Sequence, residues 1–189
     1  MEGLLDAGQG RILLELARKT LENSLTGGEL PQQPDDPVFH CEMATFITLK
    51  ISGNLRGCIG NLVPAGTLWE GIRNNTLNAA FHDQRFPPLK AGELQRVHID
   101  ISILSPPQPI DYENSNDLQS RLRPEFDGVI LRDGWRSATF LPQVWQQLPS
   151  PDQFLNNLCL KAGLPEQSWR EKRLAIETYQ VQCFSEEKL

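Results

Sequence analysis

LRGCIGNL, residues 55–62, sets a cysteine among glycines with an arginine two residues upstream. A thiol reacts as its anion, and a nearby cation favours that anion. In an unbroken strand Arg56 and Cys58 share a face, because side chains alternate. Gly57 and Gly60 remove bulk beside the sulfur and admit a substrate or another backbone at close range. The pattern suits a thiol acting as nucleophile or covalent carrier. It also suits plain packing, since free cysteine is among the most buried residue types and strand glycines often mark a bulge. A bulge at Gly57 would end the face shared by Arg56 and Cys58.

FHDQRFPPL, residues 81–89, is the second candidate. Pro87 and Pro88 stiffen the chain by fixing φ. A stiff loop there presents Arg85, whose planar fork suits carboxylate or phosphate. Asp83 is placed to orient an arginine, or the two simply close a helix with an ion pair. His82 is either a base toward Cys58 or a helix-dipole partner. His40 and Cys41 are adjacent, so in a strand they point to opposite faces and make a poor metal pair. The four cysteines form no CxxC pair and show no structural zinc spacing. No phosphate-binding glycine loop, nucleophile elbow or HExxH string occurs, so no cofactor and no metal are expected.

The elements that must position these residues are readable from periodicity. Leu4, Leu5, Ile12, Leu13, Leu16, Ala17 and Leu21 recur at helical spacing, predicting a helix from about Asp6 to Leu25 ended by Gly27-Gly28. β-Branched residues around Ser52-Gly53-Asn54 predict a hairpin with arms near 43–51 and 55–62. Thr67 and Glu70 form a capping box that starts the next helix. VHIDISIL, residues 97–104, alternates apolar and polar residues as a half-buried strand does. Residues 116–123 read as a short helix. Residues 128–141 read as a hairpin around Asp133-Gly134. Ser150-Pro151 opens a helix that Gly163 closes. Leu174 to Phe184 reads as one final strand, with Cys183 alternating into the core and Cys159 on the buried face of the Ser150 helix. Trp135, Trp145 and Trp169 are candidates for contact surface. Helices and hairpins interleave without βαβ units, which favours α+β with a mainly antiparallel sheet.

Composition narrows the functions. The chain has 189 residues, 22% charged, with a net charge of −6. No basic run supports nucleic-acid binding. No stretch approaches the ~18 apolar residues of a membrane span, and the N-terminus lacks a basic signal-peptide region. A reducing cytoplasmic setting is expected.

Taken together, LRGCIG, NAAFHDQRFPPL at 78–89, Glu93-Leu94, ISILSPP at 101–107, GVIL at 128–131, ATFLPQVW at 138–145 and FLNNLCLKAGL at 154–164 resemble the AMME-syndrome candidate-gene (AMMECR) family. They look most like its prokaryotic branch, the AmmeMemoRadiSam system protein A. Asn61 stands where that family often carries Thr or Ser. The resemblance spans nearly the whole chain, as one domain over 1–189 with a smaller subdomain. It implies an α+β fold of two unequal subdomains around a mainly antiparallel sheet flanked by helices. It also implies that LRGCIG borders a cleft, and that Arg56, Gly57, Cys58, Gly60, Asp83 and Arg85 belong to one site. The partners it implies are a Memo-type protein and a radical SAM enzyme. Two functions stay open: an enzyme using Cys58 toward an anionic substrate, and a non-catalytic module binding a substrate or partner.

Overall fold

The computed structural model of the chain describes residues 5–186, so Leu4 of the expected apolar stripe lies outside the described residues. Within the described residues it forms two compact units, one of residues 5–104 with 182–186 and one of residues 105–181.

The first unit begins with helix α1 (Ala7–Thr26). Asp6 and Gln9 exchange hydrogen bonds in a capping box, and Gly27 ends the helix at φ 81°. Strands β1 (Ala44–Ile51) and β2 (Asn54–Gly60) form the expected hairpin. Ser52 and Gly53 at its tip both have positive φ, 51° and 79°. Two such residues make the turn whose twist matches that of the strands. Helix α2 (Leu68–Phe81) starts at the Thr67–Glu70 capping box. Strand β3 (Val97–Leu104) follows, and β8 (Val181–Ser185) completes a sheet ordered β2-β1-β3-β8.

Helices α1 and α2 lie on one face of this sheet. Thr45, Ile47 and Leu49 of β1 point into them, register with Ile103, Ile101 and Ile99 of β3, and are buried. The period-2 rule then assigns Phe46, Thr48 and Lys50 to the opposite face. The sheet therefore has one apolar face and one chemically varied face.

The second unit carries its own core. Strands β4 (Gln108–Pro109), β5 (Gly128–Asp133), β6 (Arg136–Phe140) and β7 (Ala175–Tyr179) form an antiparallel sheet ordered β4-β7-β5-β6. Helices α3 (Ser115–Arg121), α4 (Pro151–Lys161) and α5 (Ser168–Glu171) accompany it. Beyond α4, Gly163 at φ 72° donates to the Leu160 carbonyl and Leu164 donates to that of Cys159. That pairing is a Schellman C-cap.

The α+β class and the antiparallel pairing are as expected, with the strands divided between two sheets. Other expectations need correction. The final strand is not continuous: β7 belongs to the second sheet and β8 to the first, with Gln180 between them. Cys183 is exposed instead of core. Trp145 and Trp169 are each 1% exposed, so of the three tryptophans expected at the surface Trp135 alone remains there. Trp145 stacks on Phe154 with ring centroids 3.7 Å apart. No helix among the described residues is long and apolar enough to cross a membrane.

Candidate functional site

The site is built on an edge strand. Among the described residues β2 has β1 on one side only, so its outward N–H and C=O groups lack a neighbouring strand. At Cys58 the loop after α2 takes that neighbour's place. The Cys58 N–H donates to Asp83 Oδ2 at 2.9 Å, and Arg85 Nη2 donates to the Cys58 carbonyl at 3.2 Å. Asp83 and Arg85 are locked together as well. Arg85 Nε donates to Asp83 Oδ1 at 3.0 Å, Nη2 to Oδ2 at 2.7 Å, and the Arg85 amide to Oδ1 at 3.1 Å. One ion pair thus clasps both main-chain groups of Cys58.

The clasp is electrostatically asymmetric. The Asp83 side chain is 4% exposed, that of Arg85 57%. Arg85's hydrogen bonds hold the Asp83 carboxyl well below the usual carboxylate range, against the opposing effect of burial; the Cys58 and Arg85 amides add to the same effect. Arg85 is raised above its ordinary value, first by Asp83 and least by the charge of Cys58. More than half of the guanidinium side chain still faces solvent beside Cys58.

Cys58 lies opposite Thr48 in the β1–β2 register, on the sheet face away from α1 and α2. Its sulfur is partly buried, 3.3 Å from Thr48 Oγ1. The glycines do different work from clearing space for a substrate. A Cβ on Gly57 would sit 2.1 Å from the Ala79 carbonyl oxygen of α2, so Gly57 permits close helix packing. A Cβ on Gly60 would meet the Phe46 ring at 2.2 Å, so that ring fills the place a side chain would take.

Arg56 does not share the Cys58 face. Leu49 pairs with Gly57 and Lys50 with Leu55, which leaves Arg56 as the extra residue of a β-bulge. The bulge breaks the two-residue alternation and turns the guanidinium to Glu93, with Nε to Oε1 at 2.9 Å and Nη2 to Oε2 at 3.1 Å. Glu93 is held low, mainly by those bonds against the effect of burial, and also accepts the Lys90 amide. Arg56 Nη1 is buried, and among the described residues it has no hydrogen-bond partner.

Of the expected site residues, Cys58, Asp83 and Arg85 therefore meet, while Arg56 anchors the neighbouring turn at 91–96. His82 is exposed at the end of α2, and no hydrogen bond joins it to Cys58 among the described residues. The His40 ring contacts Gln33, and Cys41 donates to the Pro37 carbonyl. Burial pushes the Cys159 thiol up, away from reactivity. Thr48 lies in none of the quoted strings, and Glu93 enters them only through Glu93-Leu94, with no site role assigned. Each acquires its place only through strand register or the bulge, which no local spacing reports.

The AMMECR1 family model matches residues 14–184. This chain belongs to the AMMECR1 family. The family member is 37% identical over 186 residues to a protein of Methanothermobacter thermautotrophicus, with 97% of each chain covered. It is 36% identical over 185 residues to a protein of Thermoplasma volcanium, covering 96% of this chain and 90% of that one. A crystal structure of an uncharacterised protein from Pyrococcus horikoshii aligns with this AMMECR1-family chain at TM-score 0.85 and 30% identity, over 98% of this chain and 95% of that one. None of these names states an activity.

Proposed function

We propose that the Cys58 thiol is the reactive group of this AMMECR1-family protein and that Arg85 holds the anionic part of its substrate. The observation that carries this is the clasp: both main-chain groups of one edge-strand cysteine are fixed by a buried carboxylate and a half-exposed guanidinium. Asp83 orients Arg85, and Arg85, more than half exposed, reaches the Cys58 carbonyl. The substrate class is an anion bearing an electrophilic carbon and a leaving group. The thiolate forms an S–C bond, the leaving group departs with the bonding pair, and the thiol proton passes to solvent. In this reading the protein works with a Memo-type protein and a radical SAM enzyme in a shared cytoplasmic pathway.

The test compares a negative and a neutral alkylating agent at each cysteine, resolved by peptide mass spectrometry. The iodoacetate-to-iodoacetamide rate ratio cancels thiolate population, because both reagents attack through the same thiolate. Cys58 should show a higher ratio than Cys41 and Cys183, and Arg85→Gln should bring it down to theirs. A Cys58 ratio equal to theirs in the parent protein overturns the assignment of Arg85.

A second reading, a non-catalytic recognition module, draws on Trp135. It is 88% exposed in the turn of the β5–β6 hairpin, with the Arg136 guanidinium 5.2 Å from its ring centroid. Exposed tryptophan beside arginine is the composition of binding hot spots. A Cys58→Ser variant that keeps both its stability and its function in the cell favours this second reading.

A further inference from the structure

We infer that Thr48 is a positioning residue for the Cys58 thiol, a role that rests on the reactive-cysteine reading above. Cys58 uses its N–H and C=O outward, toward Asp83 and Arg85. Its pairing with Thr48 is therefore of the non-hydrogen-bonded kind. In an antiparallel ladder that kind brings the facing side chains closest, with Cα atoms about 4.5 Å apart instead of about 5.5 Å. The clasp on one side of β2 thus sets the contact on the other: Thr48 Oγ1 lies 3.3 Å from Cys58 Sγ.

The row continues across the sheet. Asp100 of β3 sits opposite Thr48 on its far side. Lys50 engages Asp100 Oδ2 at 2.6 Å. That ion pair offsets the carboxylate charge, which would otherwise oppose a thiolate two strands away. Toward an ionised sulfur the Thr48 hydroxyl is the donor, and a hydrogen bond to the charged form favours that form. The β-branched threonine has few rotamers, so the donor is held in place instead of searching for it. Ser102 and Cys183 form the other hydroxyl–thiol pair on this sheet, at 3.7 Å and exposed. They provide a looser comparison in the same molecule.

Stabilising a thiolate raises its population more than it lowers its nucleophilicity, since the Brønsted slope is about 0.4–0.5. A tenfold change in population therefore leaves about a threefold change in rate. The experiment measures iodoacetamide labelling of Cys58 at pH 7 in the full chain, with Cys41 and Cys183 as internal references. Thr48→Val, which keeps shape and branching, should slow Cys58 about threefold relative to both references. Thr48→Ser should restore the rate, and the iodoacetate-to-iodoacetamide ratio should stay at the parent value in all variants. Thr48→Ala gives the same readout if valine perturbs the strand. A Cys58 that outpaces the references in the parent and is unchanged in Thr48→Val and Thr48→Ala overturns the role of Thr48 and leaves the reactive-cysteine reading standing. A parent Cys58 no faster than the references removes both.

Discussion

At Cys58 an edge strand meets a charged clasp instead of another strand, and the cost of removing that clasp should be measurable. Asp83→Ala leaves the Cys58 amide without its acceptor and Arg85 without its counter-charge. Because Arg85 is half exposed, water softens the loss. Urea denaturation should show destabilisation of about 2 kcal/mol. The pH dependence has a definite sign. The folded Asp83 pKa lies below its unfolded value of about 3.9, so its contribution is full above that value. It disappears as pH falls through the depressed folded value. The stability gap between the parent and Asp83→Asn should therefore be constant at neutral pH and shrink only in strong acid. A gap that closes by pH 5 would contradict the clasp. The residue types here are legible in LRGCIG and FHDQRFPPL, and Cys58, Asp83 and Arg85 meet. The bonds between them are not legible, because they join main-chain groups to side chains 25 and 27 residues away.

At the scale of elements, one bulge decides which arginine serves the cysteine. With an even register Arg56 would lie on the Cys58 face; as the extra residue it ties β2 to the turn at 91–96. A double-mutant cycle of Arg56→Ala and Glu93→Ala should return a coupling of about 1–2 kcal/mol, since the side chains are only 11% and 27% exposed. A coupling near zero would show that the staple contributes nothing. Gly57→Ala places a methyl against the backbone of α2, where no side chain can move aside. Its thermal unfolding should reveal a loss of about 1–3 kcal/mol, with Gly57→Val worse. Helix caps and alternating strands were readable because their signals are local: Asp6 or Thr67 before a helix, apolar residues at every second position of 97–104. Residues 174–184 misled for the complementary reason. Alternation reports a strand but not its sheet, and Gln180 passes the chain from one sheet to the other without a glycine or proline to mark it.

At the scale of the molecule, the second unit is an insertion between β3 and β8. Its ends meet: the Ser105 amide donates to the Gln180 carbonyl at 2.9 Å, and the Gln180 amide to Ser105 Oγ at 3.0 Å. It has its own core around Trp145, Phe154, Leu158 and Trp169. A fragment of residues 105–181 should therefore fold alone and give a dispersed amide NMR spectrum, whereas a collapsed spectrum would show that its core is insufficient. Two cores were not foreseeable from apolar periodicity, which finds buried faces but not which faces bury one another. The buried Trp145 and Trp169 show the same limit, since residue type alone suggested a surface. The order in which the four cysteines react in the native protein decides whether Cys58 is the reactive group. Exposure alone ranks Cys41 and Cys183 ahead of half-buried Cys58, with buried Cys159 last. Site-resolved labelling with limiting iodoacetate at pH 7 should find Cys58 modified first, ahead of its two more exposed counterparts. Labelling that simply follows exposure, with Cys58 third, would contradict the reading of this cysteine as the protein's reactive group.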